Sequence, residues 1–185
     1  MAKDDVTKPG EPAREELLRG FRNAVQVGVV VRDIEKSMHE LTALFGIGPF
    51  RVVDCPPAGR EDRQFLNGKL LRFHTRQAFA DVGGVELELI QPIDGPTIWA
   101  DFMATHGPGI HHIRFNAENL EEVIGALDKV GVAITQEGAG IREGTRWVNF
   151  DTENRVGFTV EVMKPAPGSD GRTPKSSAED RKKKS

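Results

Sequence analysis

Four side chains able to hold a divalent ion lie one to a strand-like stretch of this sequence: Gln26, Glu88, His112 and Glu161. Each stretch alternates apolar with polar residues, and a period of two decides which neighbours share a face. In the first, Val25, Val27, Val29 and Val31 oppose Gln26, Gly28 and Val30. Val85, Leu87 and Leu89 oppose Glu86, Glu88 and Ile90, and Ile113, Phe115 and Ala117 oppose His112, Arg114 and Asn116. In the last, Phe158, Val160 and Val162 oppose Thr159, Glu161 and Met163. All four candidates therefore belong to the face turned away from the apolar side. Two carboxylates, an imidazole and an amide oxygen form a hard-to-borderline donor set. Such a set suits an octahedral divalent ion with open or water-filled positions more than structural zinc. Any one of these residues would also fit the solvated face of a half-exposed antiparallel sheet. Carboxylates at matched places are costly to bury unless paired or metal-bound, and that favours a site.

The elements that must position them form an internal repeat. Gly84-Val85-Glu86-Leu87-Glu88-Leu89-Ile90-Gln91-Pro92 returns as Gly157-Phe158-Thr159-Val160-Glu161-Val162-Met163-Lys164-Pro165, with a glutamate at the fifth place of each. Upstream of each copy, a strand runs into a helix-capping residue, Asp33 or Asn119. Ile34, Met38, Leu41 and Phe45 recur at helical spacing before Gly46; Leu120, Val123, Ile124, Leu127 and Val130 do so before Gly131. Glu122 completes a capping-box pattern with Asn119. Strands are expected at about 50–54, 69–79 and 84–91 after the first helix and at about 133–136, 146–151 and 157–163 after the second. The fold class is thus α+β, two tandem βαβββ modules. Residues 21–95 are the first module, 96–107 a linking helix bearing Trp99, Phe102 and Met103, and 108–165 the second module. Residues 1–20 read as a flexible N-terminal tail, and 166–185, rich in Pro, Gly, Ser and charge, as a disordered basic tail. The stretch 54–68, with Pro56, Pro57, Gly59 and Gly68, is expected to be a mobile flap.

Composition narrows the classes. In 185 residues, 25 Lys and Arg against 28 Asp and Glu leave a net charge of −3, so no overall field draws in nucleic acid. A single cysteine, Cys55, excludes an internal disulfide framework and a Cys-based zinc site, and no histidine neighbours it to activate a thiolate. No apolar run approaches the ~20 residues of a membrane span, and the first residues lack the apolar segment of a secretory signal. The expectation is a cytoplasmic protein with a small-molecule partner.

The segments Val27-Gly28-Val29-Val30-Val31-Arg32-Asp33-Ile34, Leu44-Phe45-Gly46-Ile47-Gly48-Pro49-Phe50, Leu87-Glu88-Leu89-Ile90-Gln91-Pro92, Gly107-Pro108-Gly109-Ile110-His111-His112-Ile113 and Arg146-Trp147-Val148-Asn149-Phe150 make the chain recognisable. It resembles the vicinal oxygen chelate superfamily of glyoxalases, bleomycin-resistance proteins and dioxygenases, and within it the methylmalonyl-CoA epimerase-like branch. The resemblance implies that the mostly antiparallel sheet is cupped, with helices outside and a divalent metal ion (Mg, Mn, Co or Zn) in the cup. It places ligands at Glu88, His112 and Glu161, and at Gln26 where metal-binding members usually carry histidine. Losing that histidine removes the two-His-one-carboxylate triad of iron dioxygenases. The resemblance also implies a glutamate base on the third strand of the first module, where this chain has Lys69-Leu70-Leu71-Arg72-Phe73-His74-Thr75-Arg76 instead.

Arg72, His74 and Arg76 would share a face as an anion-binding wall, and His74 could serve as a base near its ordinary pKa. Glu161 and His74 are thus the candidate proton-transfer residues, and Arg72, Arg114, Arg146 and Asn149 the candidate substrate contacts. His111 falls on the apolar face and reads as a packed histidine, and Trp99 as core. Two functions follow. One is a metal-dependent isomerase, epimerase or lyase acting through an enolate on a small oxo acid, acyl-CoA thioester or related carbonyl compound. The other is a metal-free small-molecule binding protein of the same superfamily. A homodimer is compatible with both.

Overall fold

The computed structural model describes residues 14, 15, 17, 21 and 23–169. The elements in chain order are β1 (Ala24–Val30), α1 (Ile34–Phe45), β2 (Arg51–Cys55), β3 (Gln64–Leu66), β4 (Lys69–Leu70), β5 (His74–Val82), β6 (Val85–Asp94), α2 (Ile98–Thr105), β7 (Gly109–Asn116), α3 (Leu120–Asp128), β8 (Ile134–Ala139), β9 (Arg146–Phe150), α4 (Glu153–Val156) and β10 (Thr159–Lys164). They form one curled sheet in the order β2-β5-β6-β1-β7-β10-β9-β8-β3-β4. The two βαβββ modules meet where β1 runs antiparallel to β7, so both halves of the cup come from one chain. Within each module the first strand lies parallel to the last, β1 on β6 and β7 on β10, which places the repeated glutamates symmetrically about the junction.

Local chemistry explains the module helices. The Asp33 carboxylate accepts the Lys36 amide at 2.9 Å, and Gly46 ends α1 at φ 68°, a conformation that costs glycine little. Its apolar stripe packs Ile34 with Val31, Ala78 and Leu89 beneath it. In the second module Leu120 and Val123 of α3 pack on Val148, Phe150 and Val162. Asn119 opens α3, but its amide makes no capping bond, so the expected capping box is not formed. The linking helix is capped by Thr97, whose hydroxyl accepts the Ala100 amide at 3.0 Å. Unlike α1 and α3, it packs on the concave side, where Trp99 meets Phe73 at 5.9 Å and Trp147 at 5.6 Å between ring centroids.

Four expectations change. The single strand over 69–79 divides: Lys69–Leu70 turn back on β3, and β5 begins only at His74. The expected flap contains β3, which pairs with β8 and extends the sheet of the second module. Residues 166–169 are not part of a structureless tail: the Ser169 amide donates to the Ala166 carbonyl at 3.0 Å, and both residues line the cup. The N-terminal tail is likewise not all tail, since Leu17 and Phe21 pack on the second core and Phe21 meets Phe115 at 5.1 Å. The basic segment 170–185 and most of 1–20 lie outside the described residues. Among the described residues no helix is long and apolar enough to cross a membrane.

Candidate metal centre and active site

The concave face brings the four expected ligands together. His112, fully buried, points Nε2 at Glu88 Oε2 (3.3 Å), Gln26 Oε1 (3.4 Å) and Glu161 Oε2 (3.6 Å). Register explains the meeting. Gly28 stands opposite His112 across β1 and β7 and beside Glu88 across β1 and β6, while Thr159, two residues before Glu161, is the β10 partner of His112. The imidazole crosses over Gly28, and a β-carbon there would overlap the ring at Cε1. A glycine on the face of Gln26 thus makes room for the histidine, a role that period-two reading locates but does not explain.

The surrounding groups hold these donors. Gln26 Nε2 donates to Glu86 Oε1 at 2.7 Å, and Arg114 Nη2 reaches the same oxygen at 3.4 Å. Asn149 Nδ2 donates to Glu161 Oε2 at 3.1 Å. His111 Nδ1 lies 3.2 Å from His112 Nδ1, and its ring packs edge-on against Phe102 at 5.1 Å. Burial, with His112 and His106 nearby, pushes the His111 imidazole down to about 2, so it is neutral. For His112 burial also pulls downward, but Glu161 and Glu88 beside it outweigh that, and its pKa is raised. Burial pushes the Glu88 carboxyl up and nearby Glu161 adds to that, against the opposing pull of His112.

The donors fit a divalent ion of the Mg²⁺ or Mn²⁺ type. Adjacent ligands of an octahedral ion with bonds of ~2.1 Å sit ~3 Å apart, close to the observed separations from His112 Nε2. Gln26 offers oxygen and not nitrogen, because a carboxylate can only accept and Glu86 therefore takes the amide NH₂ end. Among the described residues no three His, Cys, Asp or Glu side chains already form a finished ion cage. The donors instead stand 3.3–3.6 Å from His112 Nε2. Gln26→His, which supplies a nitrogen donor, is expected to tighten Co²⁺ about tenfold relative to Mn²⁺, read by calorimetric titration. An unchanged ratio would remove residue 26 from the ligand set.

Next to the donors is a narrow cavity of about 50 Å³. Phe79, Trp99, Trp147 and Met163 give it an apolar wall, and Glu88, Glu161, Arg114 and Arg142 a polar one. Cys55 also lines it, and burial, with Glu88 close by, pushes its thiol up to about 12. A raised pKa keeps the thiol protonated, so at pH 8 the thiolate fraction is on the order of 10⁻⁴. Labelling by a disulfide reagent should therefore be slow in the native protein from pH 7 to 9 and fast after denaturation. Rapid native labelling would contradict this placement.

Several expected contacts lie elsewhere. His74 and Arg76 project from the opposite face of β5 to Gln77 and Phe79; His74 is about half exposed and bonded to Asp54 at 3.0 Å, and Arg76 reaches Glu35 of α1 at 3.7 Å. His74 is thus outside the cup and cannot take a proton from a ligand in it. Arg72, exposed before β5, does not line the cavity either, so the anion wall does not form there. Arg146 faces outward and is bonded to Glu121 and Glu137. Asn149 is in the cup, but its amide nitrogen goes to Glu161. Of the expected substrate contacts, only Arg114 lines the cavity. Glu86 and Gly28 are the residues that ligand-centred reading passes over, although both share the donors' face by alternation.

This arrangement, one half-cup per module with a candidate ligand from the first and last strand of each, defines a class. Residues 25–150 match the family model of the glyoxalase/bleomycin resistance protein/dioxygenase superfamily, and the chain belongs to that superfamily. Among solved structures it is similar to methylmalonyl-CoA epimerase from Mycobacterium tuberculosis, at 20% identity and a TM-score of 0.57 over 78% of this chain and 88% of that one. It is also similar to a Streptomyces coelicolor methylmalonyl-CoA epimerase variant in complex with 2-nitronate-propionyl-CoA, at 18% identity and a TM-score of 0.60 over 78% and 95% of the two chains. A hypothetical protein from Bacillus halodurans matches at 18% identity and a TM-score of 0.59 over 80% and 97%. No curated protein matches the sequence significantly.

Proposed function

We propose that the cup is the active site of a metal-dependent isomerase, an epimerase in the first instance, that labilises the proton next to a carbonyl group of a small oxo acid or acyl thioester. The observation that carries this reading is the convergence of Gln26 Oε1, Glu88 Oε2 and Glu161 Oε2 on the buried Nε2 of His112, within 3.3–3.6 Å. Gln26, Glu88, His112 and Glu161 would hold a divalent ion, which when bound supplies Lewis-acid stabilisation of a developing enolate oxygen.

The protein's own groups do the rest. Glu88 and Glu161 descend from β6 and β10, at equivalent positions of the two modules, and so flank His112 from opposite halves of the cup. Epimerisation removes a proton from one face of a carbon and returns it to the other, and a pseudo-symmetric pair of carboxylates is matched to that task. Burial raises the Glu88 pKa toward the working range of a general acid or base. Asn149 fixes one oxygen of Glu161 by its N–H and thereby orients the carboxylate. Arg114 adds positive charge beside the cavity, and Trp99, Trp147, Phe79 and Met163 exclude water from it.

The similar epimerases from Mycobacterium tuberculosis and Streptomyces coelicolor support an acyl-CoA thioester as the first substrate to test. The test is deuterium incorporation in D₂O, followed by NMR, across 2-carboxyacyl thioesters and 2-oxo acids with and without Mn²⁺ or Co²⁺. Metal-dependent exchange on one of them supports the reading, and no exchange on any rejects it. The apolar lining favours a second reading, a metal-free binding protein. Ligand affinity unaffected by a chelator and by Glu88→Ala would establish that one instead.

A further inference from the structure

Glu86 is a buried carboxylate two residues before Glu88. Its Oε1 takes the Gln26 amide at 2.7 Å, while Arg114 Nη2 approaches the same oxygen at 3.4 Å. The parallel pairing of β1 and β6 sets residue 26 directly beside residue 86. Glu86 is 4% exposed and Gln26 is fully buried, so neither bond is exchanged with bulk water.

A glutamine is an ambiguous ligand. Its two ends are nearly equal in size, yet only the oxygen can coordinate a cation, and an NH₂ group turned inward would repel one. Nothing in Gln26 itself selects between them. Glu86 does, because an ionised carboxylate accepts and cannot donate. With the NH₂ end taken, Gln26 Oε1 has one direction left, toward His112 Nε2 at 3.4 Å. The result is a site of three oxygens and one nitrogen, a harder donor set than one with a second imidazole at position 26.

We propose that Glu86 is a positioning residue that locks Gln26 as an oxygen ligand and so sets the site's preference for hard divalent ions, Mg²⁺ and Mn²⁺, over Zn²⁺. The inference deepens the metal-site reading above and rests on it. Outer partners that orient a ligand typically change metal affinity 10- to 100-fold when removed. The experiment is a titration of the full chain with Mn²⁺, read from the electron paramagnetic resonance signal of the free ion, with Zn²⁺ competition as a second readout. It is run on wild type, Glu86→Ala, Glu86→Gln, Gln26→Ala and both double variants.

Glu86→Ala is expected to weaken Mn²⁺ about 10- to 100-fold and Zn²⁺ markedly less. Glu86→Gln keeps an acceptor oxygen and is expected to recover much of the loss. In the Gln26→Ala background either change at 86 should matter less than about threefold, because the group it orients is gone. An equal loss in both backgrounds would show that Glu86 acts through Arg114 or through the fold, and would overturn the proposal. So would equal losses for Mn²⁺ and Zn²⁺. If Glu86→Ala does not fold, as thermal melting would show, Glu86→Leu, which fills the space but cannot accept the amide, takes its place in the cycle: no coupling to residue 26 rejects the proposal. A wild-type chain that binds no Mn²⁺ overturns the metal-site reading and this inference together. Mn²⁺ binding indifferent to residue 86 overturns this inference alone.

Discussion

Glu161→Gln, assayed at saturating Mn²⁺, is expected to slow exchange of the substrate's α-proton by about 10²- to 10⁴-fold, the usual range for loss of a positioned acid–base group. The amide keeps an oxygen where Glu161 Oε2 stands 3.6 Å from His112, so the ion is weakened but can be restored by mass action. What the amide cannot do is accept the proton. His74, the other residue whose type suited a base, is bonded to Asp54 on the outer face, so it does not substitute for the carboxylate. Exchange within tenfold of wild type, with the metal shown to be bound, would take proton transfer away from Glu161 and leave Glu88 to carry it. Replacing His74 by alanine is the matched control, and it should leave exchange unchanged.

Gly28→Ala is expected to be the most disruptive one-carbon change in the cup. The new methyl group would occupy the place of the His112 ring, hemmed in by buried side chains, so the ring must leave or the two strands must part. Forcing a carbon into a filled core typically costs about 1–3 kcal/mol. Expulsion of the imidazole would also remove the only nitrogen donor from the candidate ligands. A lower melting temperature together with loss of detectable Mn²⁺ binding is the expected result. An alanine variant that binds Mn²⁺ as wild type does would mean that His112 is free to take another rotamer, and that the observed packing over Gly28 does not define the site. The effect is confined to this strand crossing. Gly138 also faces a buried side chain, Gln64, but lies away from the candidate donors in the β8–β3 pair, and its substitution should leave metal binding intact.

The alternation of 25–31, 85–90, 112–117 and 158–163 was enough to put Gln26, Glu88, His112 and Glu161 on one face. Side-chain direction is a local property of an uninterrupted strand, and it survives any choice of neighbour. The helix at 34–45 was legible for the same reason, since Asp33 and Gly46 act on backbone groups within a few residues of themselves. The βαβββ repeat supplied the fold class. Position within the assembled sheet was not legible. Strand 69–79 breaks before His74, which leaves Arg72 outside it, and His74 and Arg76 prove to share the face that looks outward, a fact set by the register of Phe79 against Glu88. Arg146 looked available until α3 and β8 brought Glu121 and Glu137 to it. The bond that orients Gln26 spans 60 residues, and its approach to His112 spans 86. Such contacts depend on which strands pair and in what register, and hence on the free energy of the whole sheet; tertiary structure alone decided that Glu86 holds an amide, that Gly28 yields its space to His112, and that Asn149 serves Glu161.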